Sequence, residues 1–527
     1  MVRQRFNRPF NQNFMSKKFY ITTAIDYVNG KPHLGHAYEK VLADCIARFQ
    51  RCQGREVHFL TGVDEHGQKV QQSAQKQGVD PQAFCDEMAE HFVTLCQRLE
   101  LSNDDFVRTT QPRHKKVVQD ILQKLFDQGL IYKGKFEGFY STRQEQFVTE
   151  KERREDGTFP EIYGEVVPLT EENYYFKLGQ FQPWLMDYVE SHPEFIFPDF
   201  RRKEVLGFLQ KPLGDLCISR PVNRLSWGIP FPFDPEYVTY VWFDALINYI
   251  SVAGYGTASF DSLWPADCHD IGKDILIPAH AIYWPCMLEA LGLPQPRTLL
   301  THGWWTVDHE KMSKSTGNVV DPLAYIDRFG VDAFRYYLLR EMVVGYDSDF
   351  THEGFLGRYN GDLANDLGNL LNRSLNMLKR YRGGVIPACV EKDENDKDVA
   401  QFASGQIAPA LEAYSSVQIH DALAATWQIV QRANRYVEES APWALAKDPA
   451  KAAKLDTVLY QLLESLRLVS VLIYPVMPGV SAKIQAQLGC ASHSFGFADE
   501  LRWGKLPAGQ TIGEATPLFP KLTTEGA

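Results

Sequence analysis

FYITTAIDYVNGKPHLGHAYEK, residues 19–40, decides the architecture. Its first half is an apolar, aromatic and β-branched run that reads as a strand, and Asn29, Gly30 and Pro32 break it. A helix pattern continues through LADCIARFQRCQG to Gly54, and a second strand-like run, REVHFLTGVDEHG, spans residues 55–67. Strand, turn, helix, strand in this order predicts a parallel sheet with right-handed crossovers, whose ligand sites lie at the carboxyl ends of strands. HLGH at 33–36 and GVDEHG at 62–67 both fall at such ends. Gly35 carries no side chain to block a ligand, and the helix start behind it offers N–H groups and a favourable dipole to phosphate. His33 and His36 can add donors. Isolated histidines beside a turn are read equally well as hydrogen-bonded packing residues, so the tetrapeptide alone leaves both readings open.

Outward from this unit, a polar helical stretch leads to about residue 115, and residues 135–169 read as short strands with charged turns, an insertion. Near Tyr237 the strand and helix patterns return in YVTYVWFDALINYISV (237–252) and DILIPAHAIYWPCMLEALG (274–292), so the first domain is split in sequence. In VWFDALINY, Trp242, Ala245, Leu246 and Tyr249 share one helical face by i, i+3, i+4, i+7 spacing and can wall a pocket. Asp321 and Pro322 form an N-cap and N1 pair. Beyond them the chain is mostly helical in pattern, up to a Pro- and Gly-rich tail from Trp503 that is expected to lie back on the body.

The 527 residues suggest three or four domains at roughly 150 residues each. The most apolar run, LRLVSVLIYPVMPGV, contains an Arg and two prolines and falls short of the roughly 18 residues of a membrane span. Nine scattered cysteines without a Cys-x-x-Cys pair fit reduced thiols rather than a zinc knuckle. A net charge of −11 excludes a protein that coats nucleic acid indiscriminately, so any such partner must meet local patches. The first 25 residues hold Arg3, Arg5, Arg8, Lys17 and Lys18 and no acid, which reads as a transit peptide or as a plain extension before a second start at Met15.

EKMSKSTGN, residues 310–318, supplies the second motif. Lys311 and Lys314, three apart in a Ser and Gly loop, can both reach one polyphosphate. Together, HLGH and KMSKS on a split α/β domain resemble the two signatures of class I aminoacyl-tRNA synthetases. TTAIDYVNGKPHLGHAYEKVLAD, LTGVDEHGQKV, VTYVWFDALINYISV, GKDILIPAHAIYWP and DLANDLGNLLNR as a set resemble the methionyl-tRNA synthetase family, from about residue 17 to the end.

The resemblance implies a Rossmann-type catalytic domain (17–115 and 231–325) after an extension (1–16), split by a connective insertion (116–230). A stem-contact region (326–355), an all-α anticodon-binding bundle (356–497) and a tail (498–527) complete the chain. It implies ATP, with Mg2+, bound by His33, Gly35, His36, Asp274, Lys311, Met312, Ser313, Lys314 and Ser315. Of these, His33, His36, Lys311 and Lys314 stabilise the charge that develops as a methionine carboxylate attacks the α-phosphorus. Methionine is expected against Ile25, Tyr27, Trp242, Ala245, Leu246, Tyr249 and His280, with Asp64 taking its ammonium. His280 is placed by its distance to YWP, one residue later than the family usually has it. Asn369, Arg373 and Trp443 are expected to read the CAU anticodon of tRNA(Met), initiator included, by stacking and base-edge contacts. Lys379, Arg380 and Arg382 meet phosphates or form a solvated basic turn.

Two departures from the family shape the expectation. Ser141 and Gln144 stand where a knuckle's first cysteine pair would fall, so no structural zinc is expected. The insertion is too short for the editing domain of the isoleucyl, valyl and leucyl relatives. A monomer in the cytoplasm is expected, with an organelle matrix as the alternative. The rival readings are a nucleotidyltransferase using HxGH without RNA, for which Asn369, Arg373 and Trp443 have no use, and a synthetase-like RNA-binding protein, which has no need of both KMSKS lysines.

Overall fold

The first strand, β1 (Lys18–Thr23), is buried at every position after Lys18. An unbroken run of buried residues belongs to a strand covered on both faces, as in a parallel sheet. The computed structural model, which describes residues 17–141, 146–148, 152–154, 156–307, 309–312, 319–390, 393–490 and 496–522, places β1 in the middle of one. β2 (Asp26–Tyr27), β3 (Glu56–Asp64) and β4 (Asp105–Arg108) lie to one side of it. All pairings among them are parallel.

The insertion contains β5 (Ile131–Ser141), β6 (Gln146–Val148) and β7 (Val166–Phe176), with β5 and β7 paired antiparallel along their whole length. Next come β8 (Ile196–Phe197), β9 (Leu216–Cys217), β10 (Ser219–Pro221) and β11 (Tyr237–Thr239). β12 (Cys268–Gly272) and β13 (Leu299–His302) then complete the main sheet in the order β2-β3-β1-β12-β13-β8. The chain leaves β1 toward β3 on one side and returns as β12 on the other. This reversal is the switch point outside which ligands of open α/β sheets bind. One boundary differs from the sequence reading: β8, inside the stretch 116–230 read as insertion, pairs in parallel with β13 and forms an edge of the catalytic sheet. Its two residues are too few to show a period.

After β13, a small sheet of β14 (Trp305–Val307), β15 (Glu310–Lys311) and β16 (Ser348–Phe350) carries Lys311, the first residue of KMSKS. Asp321 caps the next helix by accepting the N–H of Leu323 at 2.9 Å. The helices Asn369–Arg382, Glu394–Ser415, Ile419–Ser440 and Ala452–Ile473 build the C-terminal bundle. Helix Ala452–Ile473 is buried almost all round from Leu455 onward, which makes it the centre of the bundle. The tail does lie back on the body: Ile386 donates to Gln510 O and Ile512 to Gly384 O. Among the described residues no helix is long and apolar enough to cross a membrane.

Candidate active site

A cavity of about 430 Å³ opens at the switch point. The helix Leu34–Cys52, which begins inside HLGH, points its N-terminus at this cavity, and His33 is its N-cap. His33 Nδ1 accepts the Gly35 N–H at 3.1 Å, and His36 Nδ1 accepts the His33 N–H at 3.0 Å. A backbone N–H can only donate, so each Nδ1 is a lone pair and each ring carries its proton on Nε2. The two rings lie 3.9 Å apart, centre to centre. The Gly35 N–H is therefore engaged by His33, a correction to the reading of an open helix start, and His36 Nε2 lies 4.0 Å from Asp26 Oδ1. Gly35 is needed as much by its neighbour as by a ligand, because a Cβ there would stand 3.0 Å from His33 Cε1.

His33, Gly35, His36, Asp274 and Met312 all line the cavity. Lys311 lies on β15, and the positions assigned to Ser313, Lys314 and Ser315 fall outside the described residues.

Ile25, Tyr27 and Asp64 border the same space from the ends of β2 and β3, and Trp242, Ala245, Leu246, Tyr249 and His280 line it as well. The expected single helix under the last group is two, Val241–Leu246 and Asn248–Ala253. Asn248 Nδ2 donates to Ala245 O at 2.7 Å, a local side-chain bond that competes with the helix ladder. The four wall residues still reach the cavity across the joint. The additional residue before His280 is taken up by a wide turn, in which His280 N–H bonds Ile275 O, five residues back, and Ile277 is non-helical. His280 Nδ1 lies 2.9 Å from the same carbonyl, so it is the protonated nitrogen, and Nε2 accepts the Tyr249 hydroxyl at 2.7 Å. Burial pulls the His280 imidazole down to about 4, and it is neutral at pH 7.

Several ionisable groups of the site went unassigned in the sequence. Glu39 and His302 line the cavity. His302 Nδ1 donates to Gly303 O at 2.8 Å and Nε2 faces Glu39 Oε2 at 3.1 Å. Although burial opposes the charge, the bond to Glu39 and the nearby Asp270 raise His302 to about 9. Lys40, fully buried, meets Asp26 at 2.5 Å. Burial raises Asp26, while Asp26 and Glu39 hold Lys40 above its usual range against that same burial. Burial also keeps Asp270 well above the carboxylate range. His302, at the carboxyl end of β13, could have been found by the strand-end rule. Lys40 could not, because a Lys in an amphipathic helix reads as solvent-facing.

In the bundle, Asn369 is exposed at the first turn of its helix, and Arg373, one turn on, pairs with Glu438 at 2.7 Å. Trp443 is 41% exposed on the short helix Pro442–Leu445, which rules out a core role for the indole.

A split parallel sheet with an HLGH-capped helix at its switch point, a KMSKS strand beside it and a C-terminal helical bundle is the architecture of class I aminoacyl-tRNA synthetases. The family described as tRNA synthetases class I (M) matches residues 19–166 and 160–375, and the anticodon binding domain of methionyl tRNA ligase matches 386–527. The chain belongs to the methionyl-tRNA synthetase family. It is 45% identical over 514 residues to the methionine–tRNA ligase of Caldanaerobacter subterraneus subsp. tengcongensis, covering 97% of this chain and 80% of that one. It is 44% identical over 517 residues to that of Fusobacterium nucleatum, covering 97% and 81%. The structure of Mycobacterium tuberculosis methionyl-tRNA synthetase in complex with methionyl-adenylate superposes with a TM-score of 0.90 at 39% identity, covering 96% of this chain and all of that one.

Proposed function

We propose that the chain is a methionine–tRNA ligase: it joins methionine to ATP, releasing pyrophosphate, and passes the methionyl group from the adenylate to the 3′ end of tRNA(Met) for initiation and elongation. The observation that carries this reading is that one cavity at the switch point holds the HLGH turn, Asp64 and the Trp242–Tyr249–His280 wall together. A carboxylate oxygen of methionine attacks the α-phosphorus, the bond to the β-phosphate oxygen breaks, and negative charge grows on the departing pyrophosphate. The Nε2–H groups of His33 and His36 are held in place by their own backbone bonds before the reaction starts, so they meet that charge without reorganising. Lys311 and Lys314 are assigned the same task. A ribose hydroxyl at the tRNA end then attacks the carbonyl carbon and AMP leaves.

The substrate side chain is matched by the pocket. The Tyr249 hydroxyl is spent on His280, so the wall presents aromatic surface and little to pair with a charged group. A polarizable thioether gains about 0.3–1.5 kcal/mol per aromatic contact there. Asp64 is assigned the ammonium, Asp274 the nucleotide, and Asn369, Arg373 and Trp443 the CAU anticodon; Arg373 must trade or share Glu438 to do so.

Mg2+ is proposed to arrive on the phosphates of ATP. Among the described residues no three His, Cys, Asp or Glu side chains are grouped to hold a metal. We further propose a cytoplasmic monomer without structural zinc. Amino-acid-dependent pyrophosphate exchange tests the central reading: methionine alone among the amino acids is expected to drive it, and exchange driven equally by another amino acid overturns it.

A further inference from the structure

Behind the pocket wall lies a cluster that touches no part of the cavity. Asp244, fully buried on the helix Val241–Leu246, faces His66 Nδ1 at 2.6 Å and His114 Nε2 at 2.7 Å. His66 sits two residues past Asp64, and His114 belongs to the helix Pro112–Asp127. His114 Nδ1 lies 3.0 Å from Ser251 Oγ, which bonds Asn248 O at 3.1 Å on the helix that carries Tyr249. The side chains of both histidines are at most 2% exposed.

A buried carboxylate is expensive unless it is paired and hydrogen-bonded, and an apolar residue of similar size would avoid the cost. Here both oxygens are met by imidazoles, which pull Asp244 down to about 2 although burial alone would raise it. What charge-assisted hydrogen bonds add over apolar packing is direction and short, fixed distances. The His66 bond runs between the segment that holds Asp64 and the helix that holds Trp242, Ala245 and Leu246, and the His114 bond braces the same carboxylate from the helix Pro112–Asp127. They therefore bear on the separation between the ammonium end and the side-chain end of the pocket.

We propose that Asp244, held by His66 and His114, is a positioning residue that sets the distance from Asp64 to the Trp242–Ala245–Leu246 wall, and with it the length of amino-acid side chain the pocket accepts. The inference rests on the ligase reading above. It goes beyond that reading in assigning length discrimination to a group that never touches substrate.

Pyrophosphate exchange with methionine and with its S-ethyl homologue tests it, on wild type, Asp244→Asn, His66→Leu, His66→Asn, His114→Leu and His114→Gln. Asn and Gln put an amide N–H where Nδ1 and Nε2 of the respective imidazoles stood. Asp244→Asn and both leucine variants are expected to raise KM for methionine at least tenfold and to lower the preference over the longer homologue severalfold, with KM for ATP within twofold. His66→Asn and His114→Gln are expected to return within threefold of wild type. Unchanged methionine KM and preference in the folded Asp244→Asn and leucine variants, a parallel rise in KM for ATP, or no difference between the amide and leucine variants overturns the proposal. If Asp244→Asn does not fold, the His66 pair carries the decision. Absence of methionine-dependent exchange in wild type counts against the ligase reading instead.

Discussion

Gly35 and His33 act as one device: the missing Cβ lets the imidazole fold back onto the helix start, and the helix N–H in turn fixes Nε2 as the protonated nitrogen, the one that would meet the phosphates in the proposed reaction. Because this interaction grows with the charge of the transition state, His36→Ala is expected to slow adenylate formation at least tenfold while hardly changing methionine affinity. Lys314→Ala, outside the described residues, is expected to behave alike. Single-turnover rates beside a methionine titration check this, and a loss in affinity with no loss in rate contradicts it. Two other histidines set the pH range of stability. His280 titrates near 4 when folded, below the ordinary 6.5 of the unfolded chain. The unfolded state thus binds a proton that the native state refuses, and stability falls by about 3 kcal/mol as pH drops from 6.5 toward 4. His302 has the opposite sign: raised to about 9, it contributes stability fully present below about 6.5 and lost as pH rises through 9. Tm measured across pH is expected to flatten on the acid side in His280→Gln and on the alkaline side in His302→Gln. Slopes matching wild type would refute both assignments.

At the scale of elements, the short helix Pro442–Leu445 presents an indole to solvent at the corner of the bundle, which suits stacking on an unpaired base. Trp443→Ala is expected to cost roughly 1–3 kcal/mol of stacking, a roughly five- to 150-fold loss in kcat/KM for tRNA, with pyrophosphate exchange and Tm near wild type. Joint loss of exchange, aminoacylation and Tm would end the anticodon assignment. The strand β5 ends at Ser141, whose hydroxyl donates to Tyr163 O at 2.5 Å. A serine so engaged supplies no thiolate, and Gln144 lies outside the described residues. Elemental analysis of extensively dialysed protein is expected to find less than stoichiometric zinc. One chelator-resistant zinc per chain would show the knuckle to be metal-bound after all.

Across the whole molecule, Arg335 is the joint. Fully buried, it donates to Leu99 O at 2.9 Å, Val476 O at 2.7 Å and Pro475 O at 3.2 Å, and to Asp44 Oδ2 at 2.6 Å on the helix that starts at HLGH. It thus ties the catalytic helix to the turn that closes the bundle's central helix. Arg335→Met would leave three carbonyls and part of a carboxylate buried without their donor, at a cost of about 3–5 kcal/mol. Denaturant unfolding followed by tryptophan fluorescence is expected to show that loss, and an unchanged midpoint would mean the two halves are held by apolar packing alone.

The parallel sheet, its interruption and the pocket wall were legible in the sequence because they rest on local signals: an apolar run broken by Asn-Gly, HLGH at a strand end, and the i, i+3, i+4, i+7 spacing from Trp242 to Tyr249. Every described residue assigned to ATP or to the pocket whose side chain can be placed borders the one cavity. Tertiary structure alone decided the rest. Periodicity reports which face of one element is apolar, not what a polar side chain meets across 178 residues, as His66 and Asp244 do, or 263, as Glu39 and His302 do. The buried Lys40 and the edge strand β8 are of this kind. Each is set by a partner that another segment brings up, so no reading along the chain could have placed it.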